Sequence, residues 1–266
     1  LRKNTAMPTD KLIAEKTGPI GWLIFNNPAR RNALSVDMWE GMPAILDGYA
    51  ADPEIRLVVL KGAGDKAFVA GADISQFEDQ RASKAAVEHY DAMSTRALLS
   101  LQHVGKPTIA MIRGFCIGGG LNVAMSCDLR IAASDARLAI PAARLGLGYA
   151  YDGVKKLVSL VGPAYAKEIY FTARQFDAME CQQMRLVNRV VAPEMLDSTI
   201  QALAASIAEN APLTIKSTKM SVDAAVADAP DLAAVRQAVD ACFASQDYIE
   251  GRRAFMEKRK PQFRGV

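Results

Sequence analysis

Two short stretches decide how this chain reads: Phe68-Val69-Ala70-Gly71-Ala72-Asp73-Ile74 and Gly118-Gly119-Gly120-Leu121-Asn122. Each follows an apolar run that reads as a strand, and each runs into residues that read as a helix start. A helix N-terminus presents backbone N–H donors with no intrahelical acceptor and carries partial positive charge. Glycine or alanine there lets a carbonyl oxygen or an anion come close to the backbone. Two such sites facing each other would form an oxyanion hole, suited to the enolate or tetrahedral oxyanion of a thioester. Taken singly, each is equally compatible with a tight turn between a strand and a helix.

Working outward, Ile20–Phe25 reads as a strand closed by Asn26-Asn27-Pro28, and Ser35 as the cap of a helix reaching Ala51, where Asp52-Pro53 stops it. Leu57–Leu60 and Thr108–Ile112 read as buried strands, with a long helix between them over Ser83–Val104. Gly118-Gly119-Gly120 opens a helix over Leu121–Ser126, and Leu129–Ala132 and Arg137–Ile140 read as further strands. From Val154 the pattern is helical over 154–161, 163–171, 178–184, 195–209, 213–227, 232–245 and 248–258, interrupted by one strand over Val187–Val191. Strands alternating with helices predict a parallel, buried sheet in an α/β fold. No repeat of fixed period is evident.

The 266 residues, half of them hydrophobic and 23% charged, fit a globular α/β chain. A net charge of +3 gives no electrostatic case for nucleic acid. The four cysteines, Cys116, Cys127, Cys181 and Cys242, are widely spaced without a CxxC pair and read as reduced thiols. No stretch approaches a membrane span, and Leu1–Asp10 lacks the apolar core of a signal peptide, so the expected location is cytoplasmic.

Several motifs in order resemble the enoyl-CoA hydratase/isomerase (crotonase) family. They are Asn27-Pro28-Ala29-Arg30-Arg31-Asn32-Ala33-Leu34, Ala70 to Ile74, Gly118 to Gly120, Cys127-Asp128-Leu129-Arg130-Ile131-Ala132, Phe171 to Arg174, Leu186 to Val191, and Glu250 to Phe255 with Glu257 to Pro261. The resemblance implies a crotonase-like spiral of β-β-α turns over residues 1–200 and a C-terminal helical trimerisation region over 201–266. It implies an acyl-CoA thioester substrate, a homotrimer or dimer of trimers, no metal, and no cofactor apart from the coenzyme A of the substrate. By position, Ala72 and Gly119 would supply the oxyanion N–H groups. Arg30, Ala33, Ala70, Asp73 and Ile74 would line the CoA site, and Phe255 and Lys258 would reach a neighbouring subunit's nucleotide.

The chain departs from the family's hydratases at two positions. Their first proton-handling glutamate falls two residues after the glycine triplet, where this chain has Asn122; the second follows a proline, and here Pro141 is followed by Ala142. Asparagine can hydrogen-bond a water but cannot take its proton, and alanine can do neither. Ordinary hydration is therefore not expected; decarboxylation, isomerisation or cleavage through a thioester enolate is. Leu145-Gly146-Leu147-Gly148-Tyr149 and Lys167 to Arg174 are similar to the methylmalonyl-CoA decarboxylase branch, which has a tyrosine at the place of Tyr149, but that branch has a histidine where this chain has Ala72. Tyr149 is the candidate assisting group. Asp152 reads either as a base or as the cap of the next helix. His89, His103 and Cys116 have no nucleophile–base arrangement around them. The basic residues Arg252, Arg253, Lys258, Arg259 and Lys260 suit CoA phosphates or a solvated helix face, and an RNA-binding or a non-catalytic CoA-binding role is the alternative of a different class.

Overall fold

The computed structural model describes residues 9–73 and 83–266. The larger of two sheets has six strands in the order β1-β2-β3-β5-β7-β10, namely Leu12–Thr17, Ile20–Phe25, Leu57–Gly62, Thr108–Ile112, Leu129–Ala133 and Arg189–Val191. Only the β1–β2 hairpin is antiparallel; the other pairings are parallel. Strand β3 shows why this sheet is buried on both faces. Val58 and Leu60 enter the main core, while Leu57 and Val59 enter a second core against Leu196, Ile200 and Ala204.

The smaller sheet has the order β4-β6-β8-β9: Ala67–Val69, Phe115–Ile117, Arg137–Ala139 and Phe176–Asp177, with the first three parallel. From β3 to β8, successive strand pairs thus give one strand to each sheet: β3 with β4, β5 with β6, and β7 with β8. The helices are α1 (Val36–Ala51), α2 (Lys84–Gln102), α3 (Gly119–Ser126), α4 (Tyr151–Thr172), α5 (Ala178–Gln183), α6 (Leu196–Ala208), α7 (Pro212–Ala225), α8 (Leu232–Phe243) and α9 (Gln246–Glu257). The parallel sheet and its helices follow the expected α/β order. The helix start expected near Asp73 lies outside the described residues. Helix α4 is bent where Gly162 leaves helical geometry at φ 76°, just before Pro163, so the two helices read from the sequence meet at a kink.

The family-like motifs near Arg130 and Asn188 are two halves of one network. The buried Arg130 donates through Nε to Leu186 O at 2.8 Å and through Nη1 to Cys127 O at 2.8 Å, while Asn188 accepts from Arg130 N at 2.8 Å. A cation on the carbonyl just past α3 also suits the negative end of that helix.

Helix α3 packs on β4 at a distance only glycine allows. A Cβ on Gly120 would lie 2.2 Å from Val69 O. Gly120→Ala therefore forces backbone apart, and a loss of several kcal/mol is expected, of the order found for overpacked cores or larger. Gly48, in α1, has nothing within 4 Å of its would-be Cβ, and Gly48→Ala is expected to stabilise by about 0.5–1 kcal/mol. Thermal unfolding of the two variants should move in opposite directions; a Gly120→Ala protein as stable as the parent would contradict this packing.

Candidate active site

Three parallel neighbours of the small sheet deliver the residues that the sequence singled out to one end of it. Strand β4 ends at Val69 and leads into Ala70–Asp73; β6 ends at Ile117 and leads into Gly118–Asn122; β8 ends at Ala139 and leads into Pro141–Ala142. The carboxyl ends of parallel strands are where such folds place their ligands. The three segments also touch. Gly118 N donates to Ala139 O at 2.8 Å, and a Cβ on Gly71 would lie 3.7 Å from Ile117 O.

Leu34 links the two glycine segments. It pairs with Ala72 as an isolated parallel bridge: Leu34 N donates to Gly71 O at 2.8 Å, and Asp73 N donates to Leu34 O at 2.8 Å. Successive backbone groups in an extended segment point to opposite sides, so the N–H of Ala72 faces away from Leu34. The Leu34 side chain reaches the other loop, with Cδ1 3.3 Å from where a Gly119 Cβ would be. Gly119 is the first residue of α3, so its N–H has no acceptor within the helix.

The loop carrying Leu34 is held by Asn32, fully buried and in the left-handed region at φ 57°. Its Nδ2 donates to Ala63 O at 3.0 Å and Ala67 O at 2.8 Å, and its Oδ1 accepts from Asn27 N at 2.9 Å. On the same loop, Arg30 Nη1 lies 2.7 Å from Asp73 Oδ1; the carboxylate is buried and the guanidinium half-exposed. Ala33 is buried and Ala70 half-buried. Arg30, Ala33, Ala70 and Asp73 thus form one patch beside Ala72. Ile74 lies outside the described residues.

Asn122, one turn into α3, accepts a 2.7 Å hydrogen bond at Oδ1 from the Tyr149 hydroxyl. That bond leaves the asparagine's NH2 as its free face, a donor and not a base. Burial, then the neighbouring Tyr170, push the Tyr149 phenol far above its usual range, so it stays protonated. Tyr170 packs edge-on to Tyr149 with ring centroids 5.1 Å apart. On the other side, Trp39 Cζ2 lies 3.8 Å from a would-be Gly119 Cβ, and Trp39 Nε1 donates to Tyr90 Oη at 3.0 Å. Trp39, Tyr90 and Tyr170 were not singled out from the sequence; Tyr170 lies within the Lys167–Arg174 motif, and Trp39 and Tyr90 carry no local signal.

Ala142 is buried at the start of a short 3-10 turn and brings no polar group to the site. Asp152 is exposed at the second position of α4, and Ala150 holds the cap position instead, so the cap expected of Asp152 is displaced by two residues. Phe255 is 83% exposed, and Lys258 is an exposed left-handed cap at the end of α9. His89 is exposed, and His103 closes α2, its N–H donating to Leu99 O at 2.9 Å. Cys116 is fully buried, and that burial pushes its thiol well above the ordinary range, as expected of an inert side chain. Arg259 is engaged by Glu250 and Glu257 at 2.6 Å each, so part of the basic run is neutralised within α9. Among the described residues no group of three or more metal-ligating side chains occurs, and no helix is long and apolar enough to cross a membrane.

The sequence pattern of the enoyl-CoA hydratase/isomerase family matches residues 15–266. The chain is 36% identical to the short-chain-enoyl-CoA hydratase of Clostridium acetobutylicum, over 96% of this chain and 97% of that protein. It is 35% identical to the crotonyl-CoA hydratase of Syntrophomonas wolfei, over 97% and 99%. Among solved structures, an enoyl-CoA hydratase from Bacillus anthracis superimposes with a TM-score of 0.88 at 30% identity, covering 97% of this chain and all of that one. An enoyl-CoA hydratase/carnitine racemase from Magnetospirillum magneticum superimposes with a TM-score of 0.93 at 35% identity, covering 97% of each chain. The fold is that of crotonase-type enzymes. This chain belongs to the enoyl-CoA hydratase/isomerase family.

One turn beyond Asn122, Ser126 Oγ lies 3.5 Å from Lys156 Nζ on the facing helix α4. Burial lowers Lys156 from 10.5 to about 8. A folded-state value below the unfolded one means that the unfolded chain binds more protons between those pH values. Stability from this group therefore rises as pH increases from about 8 toward 10.5. Denaturant titrations should show the parent gaining up to about 3 kcal/mol relative to Lys156→Met across that window. Parallel pH profiles would contradict the burial of this ammonium.

Proposed function

We propose that this enzyme binds an acyl-CoA thioester with its carbonyl between the N–H groups of Ala72 and Gly119, and works through the thioester enolate without the two-glutamate hydration chemistry. The observation that carries this reading is Leu34 joining Ala72 on one glycine segment to Gly119 on the other, with Asn122–Tyr149 beside them and Ala142 where the second acid would stand. Two backbone donors fixed before reaction suit the oxyanion, since they need no reorganisation as charge develops. Arg30 and Asp73, beside Ala33 and Ala70, would form the CoA-binding rim, with Ile74 following in the chain. Coenzyme A is then part of the substrate, and no further cofactor enters.

Asn122 presents a donor, and Tyr149 holds it in place. Such a pair can orient an acyl substituent or deliver a proton from the phenol, but it cannot activate water as a carboxylate does. The relatives named as hydratases favour hydration; the residue chemistry favours decarboxylation, isomerisation or retro-aldol cleavage. Asp152 is exposed in the first turn of α4, so Tyr149 is the better candidate for assistance.

The test is a screen of crotonyl-, malonyl-, methylmalonyl- and 3-hydroxyacyl-CoA. The parent should turn over at least one non-enoyl thioester and hydrate crotonyl-CoA poorly, because each lost acid–base group costs about 100- to 10,000-fold. Asn122→Glu/Ala142→Glu should gain hydratase activity, and Gly119→Pro should lose about 100- to 1,000-fold on every accepted substrate. Efficient hydration of crotonyl-CoA by the parent would overturn the reading of positions 122 and 142.

The assembly proposed is a trimer or a pair of trimers. Helices α8 and α9 expose Leu232, Phe243, Ile249, Phe255 and Met256, more apolar surface than a lone chain usually leaves to water. Phe255 and Lys258 would then meet the CoA of a neighbouring copy. Light scattering should give a mass near three or six times 28.7 kDa; a value near that of one chain would exclude this assembly.

A further inference from the structure

The ring of Tyr149 is held by two distant parts of helix α4. It lies against Gly153 in the first turn, where a Cβ would come within 2.9 Å of Tyr149 Cε1 and 3.3 Å of Cδ1. Tyr170, near the other end of the helix, stands edge-on to the same ring with centroids 5.1 Å apart. In an unbroken helix residues 153 and 170 would lie about 25 Å apart. Both meet one ring because α4 breaks at Gly162. The ring's hydroxyl is in turn bonded to Asn122 Oδ1 at 2.7 Å.

The end of the amide that this bond leaves over is open. Among the described residues nothing bonds Asn122 Nδ2, yet it is not one of the buried polar atoms without a partner, which are Ser35 Oγ, Arg113 Nε and Tyr170 Oη. Asn122 is half-buried, so its NH2 reaches solvent. Within α4 only Gly162 departs from helical geometry, so the backbone does not ask for glycine at 153, where alanine is the better helix former. The close approach of Tyr149 is the requirement that glycine meets there.

We propose that Gly153 is a positioning residue of the acyl site: by bringing no side chain it seats the Tyr149 ring, and the seated hydroxyl fixes Asn122 with its NH2, not its oxygen, left to the ligand. This rests on the reading above, in which Asn122 orients an acyl substituent. A methyl group at 153 would push the ring off its seat, since a carbon–carbon approach of 2.9 Å is not tolerated. With the ring displaced the Tyr149–Asn122 bond is lost, and the amide can offer either end. A ligand carrying an acceptor oxygen then loses a donor that had been fixed in advance of binding.

The matched probes are butanoyl-CoA and acetoacetyl-CoA, which differ by one keto oxygen on the third acyl carbon, the first carbon beyond the two of the enolate. Calorimetry measures both affinities for the intact parent, Gly153→Ala, Tyr149→Phe and the double variant. The parent should favour acetoacetyl-CoA by about tenfold, the worth of one well-placed hydrogen bond. Each single variant should lose most of that preference, and the double variant no more than either, because both changes remove the same bond. A glycine needed for packing alone would weaken both ligands together and leave their ratio unchanged, or would add its effect to that of Tyr149→Phe. Either result overturns the proposal while the Asn122–Tyr149 reading stands. A Gly153→Ala protein that does not fold overturns it as well, and Tyr149→Phe, which keeps the ring, still tests the pair. If the parent shows no preference, or Tyr149→Phe retains it, the reading of the pair falls and this proposal with it. Failure of both thioesters to bind the parent removes the site reading altogether.

Discussion

The side-chain amide of Asn32 is the constraint on which the site depends. It is buried, sits in left-handed backbone geometry, and ties two carbonyls of the β3–β4 connection to the loop that begins at Asn27. Each backbone group it satisfies would otherwise be buried unmatched, at about 1–3 kcal/mol apiece. Gly62 is the counterpart of this arrangement, because a Cβ there would lie 2.1 Å from Ala67 O and 2.5 Å from Asn32 Nδ2. With the loop fixed, Leu34 is held where it bridges Ala72 and packs against Gly119, and Arg30 is held where it meets Asp73. One amide therefore positions both candidate oxyanion donors and the rim beside them, although it would touch no substrate.

The second requirement is the parallel small sheet. Three strands of three residues each are too short to be stable on their own. They persist because α3 packs onto β4 through Gly120 and because the larger sheet supplies the hydrophobic burial. Dividing the strands between two sheets lets a short sheet aim three loops at one point while the six-stranded sheet carries the stability. This also explains why a glycine-rich segment of little intrinsic helix propensity begins α3. The segment is selected by close approach to β4, and tertiary contact overrides the propensity cost.

Much of the fold was legible in the sequence, and the rest was hidden for physical reasons. Strands β2, β3 and β5 carry apolar runs because they are covered on both faces, and β7 is apolar apart from the buried Arg130, so all four read clearly. The long helices are bounded by Ser83, whose hydroxyl accepts from Ala86 N, and by Asp52-Pro53, while Ser35 holds the cap position of α1 without a side-chain cap hydrogen bond. Strand β1 was missed because it is an edge strand, Leu-Ile-Ala-Glu-Lys-Thr, largely exposed after Leu12. Strands β4 and β6 were missed because three residues carry no periodicity, and with them went the β-β-α repeat, visible only once each turn is seen to contribute to both sheets. Within the site, the backbone donors were legible because glycine and alanine announce close approach. Trp39, Tyr90 and Tyr170 were not, because an aromatic residue on a helix reads the same whether it fills a core or lines a pocket.

On the proposed reading the chain keeps the two glycine segments that would form the oxyanion hole and changes the side chains around them. On that reading, the two places where the resemblance puts the hydratases' glutamates hold Asn122, whose amide is already hydrogen-bonded, and the methyl group of Ala142. Asn122 and Ala142 would then supply neither a base for water nor the like-charge environment that an acidic acyl group would otherwise meet. The aromatic neighbours of Asn122 and Gly119 are Tyr149, Tyr170, Trp39 and Tyr90, linked by ring contacts and neutral hydrogen bonds. A backbone oxyanion hole acts on the thioester carbonyl whatever the rest of the acyl chain is, so it fixes the common step. The side chains beyond it decide which bond breaks next, and that is why relatives of nearly equal fold can differ in reaction. On the proposed reading those side chains donate hydrogen bonds and carry no charge, which would favour redistribution of electrons within a bound enolate over the activation of water from outside.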